Sequence, residues 1–429
     1  MDSAGAGHDK RIMDRIVVRR SGPLSGTVAI GGAKNSVLKL MAATALAEGR
    51  YVLHNVPQII DVDCMSDLLR SMGMTVTRTG AHDLTIDRPA EIVPEAPYEL
   101  VERRRASIVV LGPLLARVGR ARVALPGGDD FGPRPIDMHL KGLEQLGASF
   151  EFAHGYIDAR ADRLTAANIV LEYPSVGATE NALMAAVLAK GLTVIDNAAR
   201  EPEIADLASF LNRMGAQVIG AGSSTIRVEG VDDLAAVEHT VIPDRIEAAT
   251  FLAAVGIAGG ELTLSGARAD HMDMLVEKLA EMGMRVSPTT DGLWAMAPER
   301  LRSVDVATLP YPGIATDYKP LFVAMLSVAE GVGIVTENIF AGRFRYVDEL
   351  VRMGADIRTD AHHVVVRGRT QLSGAPVRAP DIRAGAALVV AGLRADGETE
   401  VHGAEHIDRG YEDFVGKLAA VGADVTRDG

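Results

Sequence analysis

The stretch "RMGAQV" (213–218) reads as one helix ending and one strand beginning: apolar Met214, then Gly215, then an extended run. It decides the fold because it recurs. The same pattern stands at "SMGMTV" (71–76), "QLGASF" (145–150), "EMGMRV" (281–286), "RMGADI" (352–357) and "AVGADV" (420–425). Its glycines, Gly73, Gly147, Gly215, Gly283, Gly354 and Gly422, are separated by 74, 68, 68, 71 and 68 residues. A glycine just past a helix end takes the left-handed conformation without steric cost and turns the chain into the next strand. A second set, Gly49, Gly119, Gly191, Gly260, Gly331 and Gly397, precedes the first by 24, 28, 24, 23, 23 and 25 residues, each after an Ala-rich segment and before a strand-like run. Each unit therefore reads helix, strand, helix, strand, and the fold class is α/β. Units of about 70 residues exceed the usual solenoid repeat of about 20 to 50. Six of them group naturally as three plus three in two similar lobes.

Composition bounds the function. The 429 residues are 48% hydrophobic and only 4% aromatic, so the cores are packed by Ala, Val, Leu, Ile and Met, and stacking on nucleobases is disfavoured. A net charge of −13 repels nucleic acid and anionic membranes, so any anionic ligand needs a concentrated local cluster of cations. Apolar runs such as 108–116 and 384–393 fall short of the roughly 18 residues of a membrane span. The start, "MDSAGAGHDKRIMDR", has no apolar signal core, and residues 1–14 read as a flexible tail. The single cysteine, Cys64, excludes an internal disulfide, fits a reducing compartment and reads as a small buried residue. A cytoplasmic protein without nucleic-acid or membrane partners is expected.

Repeats build scaffold, so chemistry belongs where the copies deviate. Four deviations carry charge: "GGAKNSVLK" (31–39), "PGGDDFGPRPIDMH" (126–139), "TLPYPGIATDYKP" (308–320), and "DIRAG" (381–385) with "HIDRGY" (406–411). Taken singly, each has a plain structural reading. A Gly-flanked Lys34 marks a turn, and "DIRAG" and "HIDRG" read as helix N-caps with Asp on the backbone and Arg towards solvent. In "AHHVVV" (361–366), His362 and His363 fall on opposite faces of a surface strand, which makes a metal pair improbable.

Taken together, the segments 31–49, 105–119, 126–148, 173–186, 197–204, 243–251, 336–344, 381–393 and 406–411 closely resemble the UDP-N-acetylglucosamine enolpyruvyl transferases, which begin peptidoglycan synthesis. The likeness runs from about residue 15 to the end. It implies a two-lobed inverted α/β barrel, three units per lobe, with residues 1–33 and 242–429 forming a discontinuous lobe. Residues 34–241 would form a continuous lobe carrying the catalytic loop 126–137. It also implies transfer of the enolpyruvyl group of phosphoenolpyruvate to the 3′-hydroxyl of UDP-N-acetylglucosamine, with release of phosphate. Neither a metal nor an organic cofactor is indicated.

The resemblance assigns residues as well. Lys34, Asn35, Arg134, Asp381, Arg383 and Arg409 would hold phosphoenolpyruvate. Arg105, Arg134, Pro135, Ile136, Asp137, Met138, Ser175, Val176, Gly177, Asp317 and Ile339 would hold the nucleotide sugar, Phe340 extending the strip of Ile339. Tyr173 and Pro174 stand where some relatives have Lys and Val, which shifts diphosphate binding towards backbone donors. Catalysis needs a base for the sugar hydroxyl and an acid for C3 of phosphoenolpyruvate. Asp317 matches the base, and the resemblance counts Lys34 and Arg409 among the catalytic residues as well. At the position of the acid most of the family carries a cysteine, but here it is Asp129. A carboxyl group serves as the acid only if its pKa is raised; Asp130 and the bound anion push it up, Lys34 and Arg134 down. The epoxide fosfomycin alkylates the family thiol, so this chain is expected to be insensitive. Other readings stay open: a related 5-enolpyruvylshikimate-3-phosphate synthase, a paralogue acting on UMP in secondary metabolism, and a non-catalytic sensor of the nucleotide sugar, for which a proton base such as Asp317 would have no use.

Overall fold

The computed structural model describes residues 14–101, 105–125, 136–340 and 342–428, with side chains omitted at 101 and 105–107. Asp129, Arg134 and Pro135 therefore lie outside the described residues, as does the side chain of Arg105. The chain divides at Gly31/Gly32 and at Ile242/Pro243 into a discontinuous and a continuous unit. Each has its own hydrophobic core, one drawn from residues 16–30 and 246–425, the other from 37–241.

All twelve marker glycines have positive φ, from +75° to +133°. At Gly119 the reason is concrete. It ends the helix Leu111–Val118 with φ 75° and ψ 0°, and its N–H bonds the Leu115 carbonyl. A Cβ there would lie 2.8 Å from the Ala161 carbonyl oxygen.

Each unit holds more strands than the glycine spacing suggests. In the first, strand Gly49–His54 follows the first marker and Thr75–Arg78 the second, but a third strand, Leu84–Arg88, lies between them, antiparallel to both. A fourth, Glu238–Thr240, comes from the end of the third unit and joins in parallel. The second and third units likewise receive Glu95–Ala96 and Asn168–Val170 from the units before them. The three sheets of this lobe thus form a cycle in which every unit lends an edge strand to the next.

The other lobe repeats the cycle, opened at a different point. Among the described residues its last unit has no third strand of its own after Val425–Asp428. The strand Arg15–Arg19 fills that place, antiparallel to both Glu398–His402 and Val425–Asp428. Leu24–Ala29 is then lent to Gly260–Ser265. Asp14, expected in the tail, pairs with Arg427 at 2.8 Å.

Inside each cycle lie the helices that begin the units. In one lobe Arg245–Ala258, Lys319–Val328 and Ile382–Gly392 pack on one another and are buried at every residue. Apolar residues on all sides mark a helix with no solvent face. The second helix of each unit, such as Ile60–Ser71 or Pro202–Arg213, has exposed positions and covers the outside. Among the described residues no helix is long and apolar enough to cross a membrane.

Three local expectations change. His362 lies in the turn after Ala361, whose φ is 51°, so its ring stacks 3.9 Å from that of His363 instead of facing away. Cys64 is half-buried in the helix Ile60–Ser71. "HIDRG" caps no N-terminus: Asp408 ends the helix Ala404–Asp408 and Arg409 is its C-cap.

The glycine argument is testable. Gly119→Ala is expected to lower stability by about 1–2 kcal/mol for the left-handed backbone and further for the Ala161 contact. Gly397→Ala, at φ 86° with no atom within 4 Å of the added carbon, is expected to show only the first loss. Urea unfolding midpoints compare the two.

Candidate functional site

In the continuous lobe the "GGAKN" turn is dictated by close approach: a Cβ on Gly32 would fall 1.7 Å from the Asn55 carbonyl oxygen. Lys34 opens the buried helix Lys34–Ala43, and its Nζ lies 2.8 Å from Asp61 Oδ2. Asn35 is half-buried beside it, its carbonyl accepting from Lys39 Nζ at 2.9 Å. Ser36 Oγ donates to Asp206 Oδ2, and His239 Nε2 contacts the other carboxylate oxygen at 2.7 Å. With the carboxylate between hydroxyl and imidazole, this buried trio is an anchor for the turn and not a nucleophile with its base.

Ser175 caps the helix Val176–Ala186, its Oγ accepting from Ala178 N. The first-turn amides of Val176 and Gly177 have no intrahelical acceptor, the usual condition for an anion seat. A Cβ on Gly177 would lie 2.8 Å from His139 Cε1, so glycine admits the imidazole of the neighbouring helix Asp137–Gln145. Gly112 N donates to Asn181 Oδ1, which leaves Asn181 Nδ2 to donate to the Ile108 carbonyl and to His139 Nδ1. That nitrogen must then be unprotonated, in keeping with a His139 pKa pushed down to about 4 by desolvation. In the same helix Asp137 is exposed and Met138 is half-buried, as is Ile136 before it. Glu180 is fully buried in the second turn of the helix Val176–Ala186, 3.3 Å from Lys39 Nζ, with Glu203 and Glu201 acting on it as well. Burial pushes its carboxyl up to about 7.

In the discontinuous lobe, side chains at the starts of the central helices meet. Asp317, two residues before Lys319–Val328, is half-buried; its Oδ1 lies 3.0 Å from Arg343 Nη2 and 3.9 Å from Arg383 Nε. Asp381 caps Ile382–Gly392, accepting from Arg383 N and Ala384 N, and also faces Arg343 at 3.7 Å. As an N-cap "DIRAG" is as expected, but Arg383 does not point to solvent: it is 4% exposed, and its guanidinium lies over the Tyr411 ring. Burial opposes the charge on Arg383, yet Tyr411, Asp317 and Asp244 outweigh it and hold its pKa above the ordinary value. Arg245, first in the third central helix, donates to Tyr318 Oη at 3.1 Å. A Cβ on Gly385 would lie 2.8 Å from Ile407, so glycine admits the short helix Ala404–Asp408, after which Arg409 is half-buried. Ile339 N bonds Glu337 at 2.7 Å.

Asp317, Asp381 and Arg383 thus come together, and so do Lys34 with Asn35, and Ser175 to Gly177 with the helix of Asp137 and Met138. Arg343 and Arg245 belong to the cluster in the discontinuous lobe and were not assigned from sequence. The repeat itself carries a signal for Arg245. A cation stands 12 to 15 residues before the first marker glycine in five of the six units, as Lys34, Arg105, Arg245, Lys319 and Arg383, and Ser175 stands 16 before it in the remaining one. Arg343 has no such mark, because it lies between elements.

Glu180 yields a pH prediction. Its carboxyl loses its proton near 4.5 in the unfolded chain and near 7 in the native one. Between these values the native state binds more protons, so stability falls as pH rises, and the full cost is present above about 7. Glu180→Gln is expected to match the parent near pH 4 and exceed it at pH 8 by up to about 3 kcal/mol, read from denaturation at both pH values.

Comparison with known proteins shows the family and the fold. The profile of the EPSP synthase (3-phosphoshikimate 1-carboxyvinyltransferase) family matches residues 18–418. The UDP-N-acetylglucosamine 1-carboxyvinyltransferases of Mycobacterium tuberculosis and Gluconobacter oxydans are 53% and 51% identical to the chain, covering 96% and 97% of it and 99% of their own length. Among solved structures, the enolpyruvyl transferase NikO from Streptomyces tendae is 27% identical with a TM-score of 0.88, over 97% of this chain and 99% of its own. EPSP synthase from Acinetobacter baumannii, at 18% identity and a TM-score of 0.76 over 96% of this chain and 99% of its own, shares the fold. The chain belongs to the EPSP synthase family of enolpyruvyl transferases, among the UDP-N-acetylglucosamine 1-carboxyvinyltransferases.

Proposed function

We propose that the protein transfers the enolpyruvyl group of phosphoenolpyruvate to the 3′-hydroxyl of UDP-N-acetylglucosamine and releases phosphate, the committing step of peptidoglycan synthesis. The observation that carries this reading is Asp317, a half-buried carboxylate held between the buried guanidiniums of Arg343 and Arg383. The two guanidiniums fix the carboxylate in place, where it can accept the hydroxyl proton as the oxygen attacks C2. C3 gains a proton from Asp129 as the C2–O bond forms. The tetrahedral intermediate then returns a C3 proton to the Asp129 carboxylate and expels phosphate, which carries off the proton taken from the hydroxyl, leaving the enol ether of the product.

Lys34, Asn35, Arg383, Arg409 and the loop residue Arg134 would hold phosphoenolpyruvate, with Asp381 orienting Arg383 through the cap. The first-turn amides of Val176 and Gly177, which have no intrahelical acceptor, suit the diphosphate, and the Ile339–Phe340 strip the sugar. Arg105 and the segment from Arg134 to Met138 would complete the nucleotide contacts. These assignments follow the family pattern and the local geometry of each lobe.

The test follows phosphate release with UDP-N-acetylglucosamine, with UMP, and without acceptor. Turnover is expected only with the nucleotide sugar, whereas turnover with UMP alone would move the chain to a different acceptor. Asp317→Asn is expected to lower kcat by about 10²- to 10⁴-fold. Asp129→Ala is expected to abolish turnover and Asp129→Cys to retain it. The parent is expected to ignore fosfomycin, and the Cys variant to be inactivated with time. An active Ala variant, or covalent inactivation of the parent, would remove Asp129 from the acid role.

A further inference from the structure

Directly beneath Asp317 lies an ion pair that the reaction does not itself require. Lys319 Nζ and Glu337 Oε2 are 2.8 Å apart, and both side chains are fully buried. Burying two charges costs several kcal/mol per ion before their attraction is counted, and an apolar pair of similar volume is often as stable or more so. Their retention therefore calls for a role beyond packing.

The partners of the pair indicate one. Glu337 Oε1 accepts from Thr308 Oγ1 at 2.7 Å, Ile339 N at 2.7 Å and Phe340 N at 3.1 Å. Its Oε2 accepts from Thr316 Oγ1 at 2.7 Å as well as from Lys319. Thr316 and Lys319 bracket Asp317 in sequence, so one carboxylate ties the backbone on both sides of the base. Lys319 Nζ also donates to the Arg343 carbonyl at 2.6 Å, while Arg343 reaches Thr316 Oγ1 and Asp317 Oδ1 through its guanidinium. The Phe344 ring centroid lies 3.9 Å from the ammonium and closes that side. Three segments thus meet on one buried pair: the loop holding the base, the Ile339–Phe340 turn, and the arginine that clasps the base.

We propose that Lys319 and Glu337 are positioning residues for proton removal from the acceptor hydroxyl, fixing Asp317, Arg343 and the Ile339–Phe340 turn as one unit. The proposal rests on the assignment of Asp317 as the base. Phosphoenolpyruvate, on that assignment, is held by Lys34, Arg383 and Arg409, whereas the hydrogen bonds of the pair described above run to Thr308, Thr316, Arg343 and the Ile339–Phe340 turn.

The experiment measures kcat and both KM values for the full-length parent, Asp317→Asn, Lys319→Met and Lys319→Met/Glu337→Gln. The double variant leaves no unpaired buried charge and serves if the single one fails to fold. Folded Lys319→Met, or the double variant in its place, is expected to lose about 10- to 100-fold in kcat through misplacement of the base. The KM for phosphoenolpyruvate is expected to stay within about twofold and that for UDP-N-acetylglucosamine to rise. Parent-level kcat per folded molecule in the variants, beside an inactive Asp317→Asn, overturns the proposal and leaves the base in place. Full activity in Asp317→Asn, or a parent inert with UDP-N-acetylglucosamine, would instead remove the assignment beneath it.

Discussion

The discontinuous lobe depends on burying three helices against one another with no solvent face for any of them. All fourteen residues of Arg245–Ala258 are buried, as are all ten of Lys319–Val328 and all eleven of Ile382–Gly392. Ala and Gly allow the close approach, which accounts for the low aromatic content. These three helices carry charge only in their first turns, since an unpaired buried charge is among the most costly defects a core can carry. Polar chemistry is left with the helix N-termini, where unpaired N–H groups and the helix dipole already favour anions. Lys34, Ser175, Arg245, Lys319, Asp381 and Arg383 all stand there.

Function then arises from what differs among equivalent helix starts. In the discontinuous lobe the three starts meet through side chains: Arg343 spans Asp317 and Asp381, and Arg245 reaches Tyr318. Buried guanidiniums are sustained by carboxylates and a phenol, with Tyr411 foremost for Arg383. In the continuous lobe the equivalent positions hold Lys34, which is paired with Asp61, and the Ser175 cap of the helix Val176–Ala186. In a chain of net charge −13, cations gathered at these few points supply the local positive field that an anion would need.

The candidate site was legible in the sequence where a residue type and a motif coincide. Lys34 in "GGAKN", Asp317 in "ATDYKP" and Asp381 with Arg383 in "DIRAG" were recognisable as departures from the repeat. Arg343 was not, because its role comes from reaching across to two other helix starts. The motif alone left Arg383 between two readings, a cap residue turned to solvent or an anion-binding group, and only the packing around it shows that the guanidinium is enclosed. The turn of His362 and His363 was missed because one residue with φ of 51°, Ala361, breaks the strand alternation that the reading assumed.

By itself the sequence determined the number of units and the places where each helix gives way to a strand. Those depend on backbone chirality at single residues, and all twelve marker glycines have the positive φ that their positions implied. Only the tertiary structure decided how the units close. The third strand of each sheet carries no glycine marker, and the lent edge strands are too short to read as elements from local pattern. The last unit is completed by Arg15–Arg19, almost the whole chain away from its partner Val425–Asp428. Local sterics act within a few residues of a glycine, whereas strand exchange is settled by which exposed edge a returning segment meets once the central helices have packed.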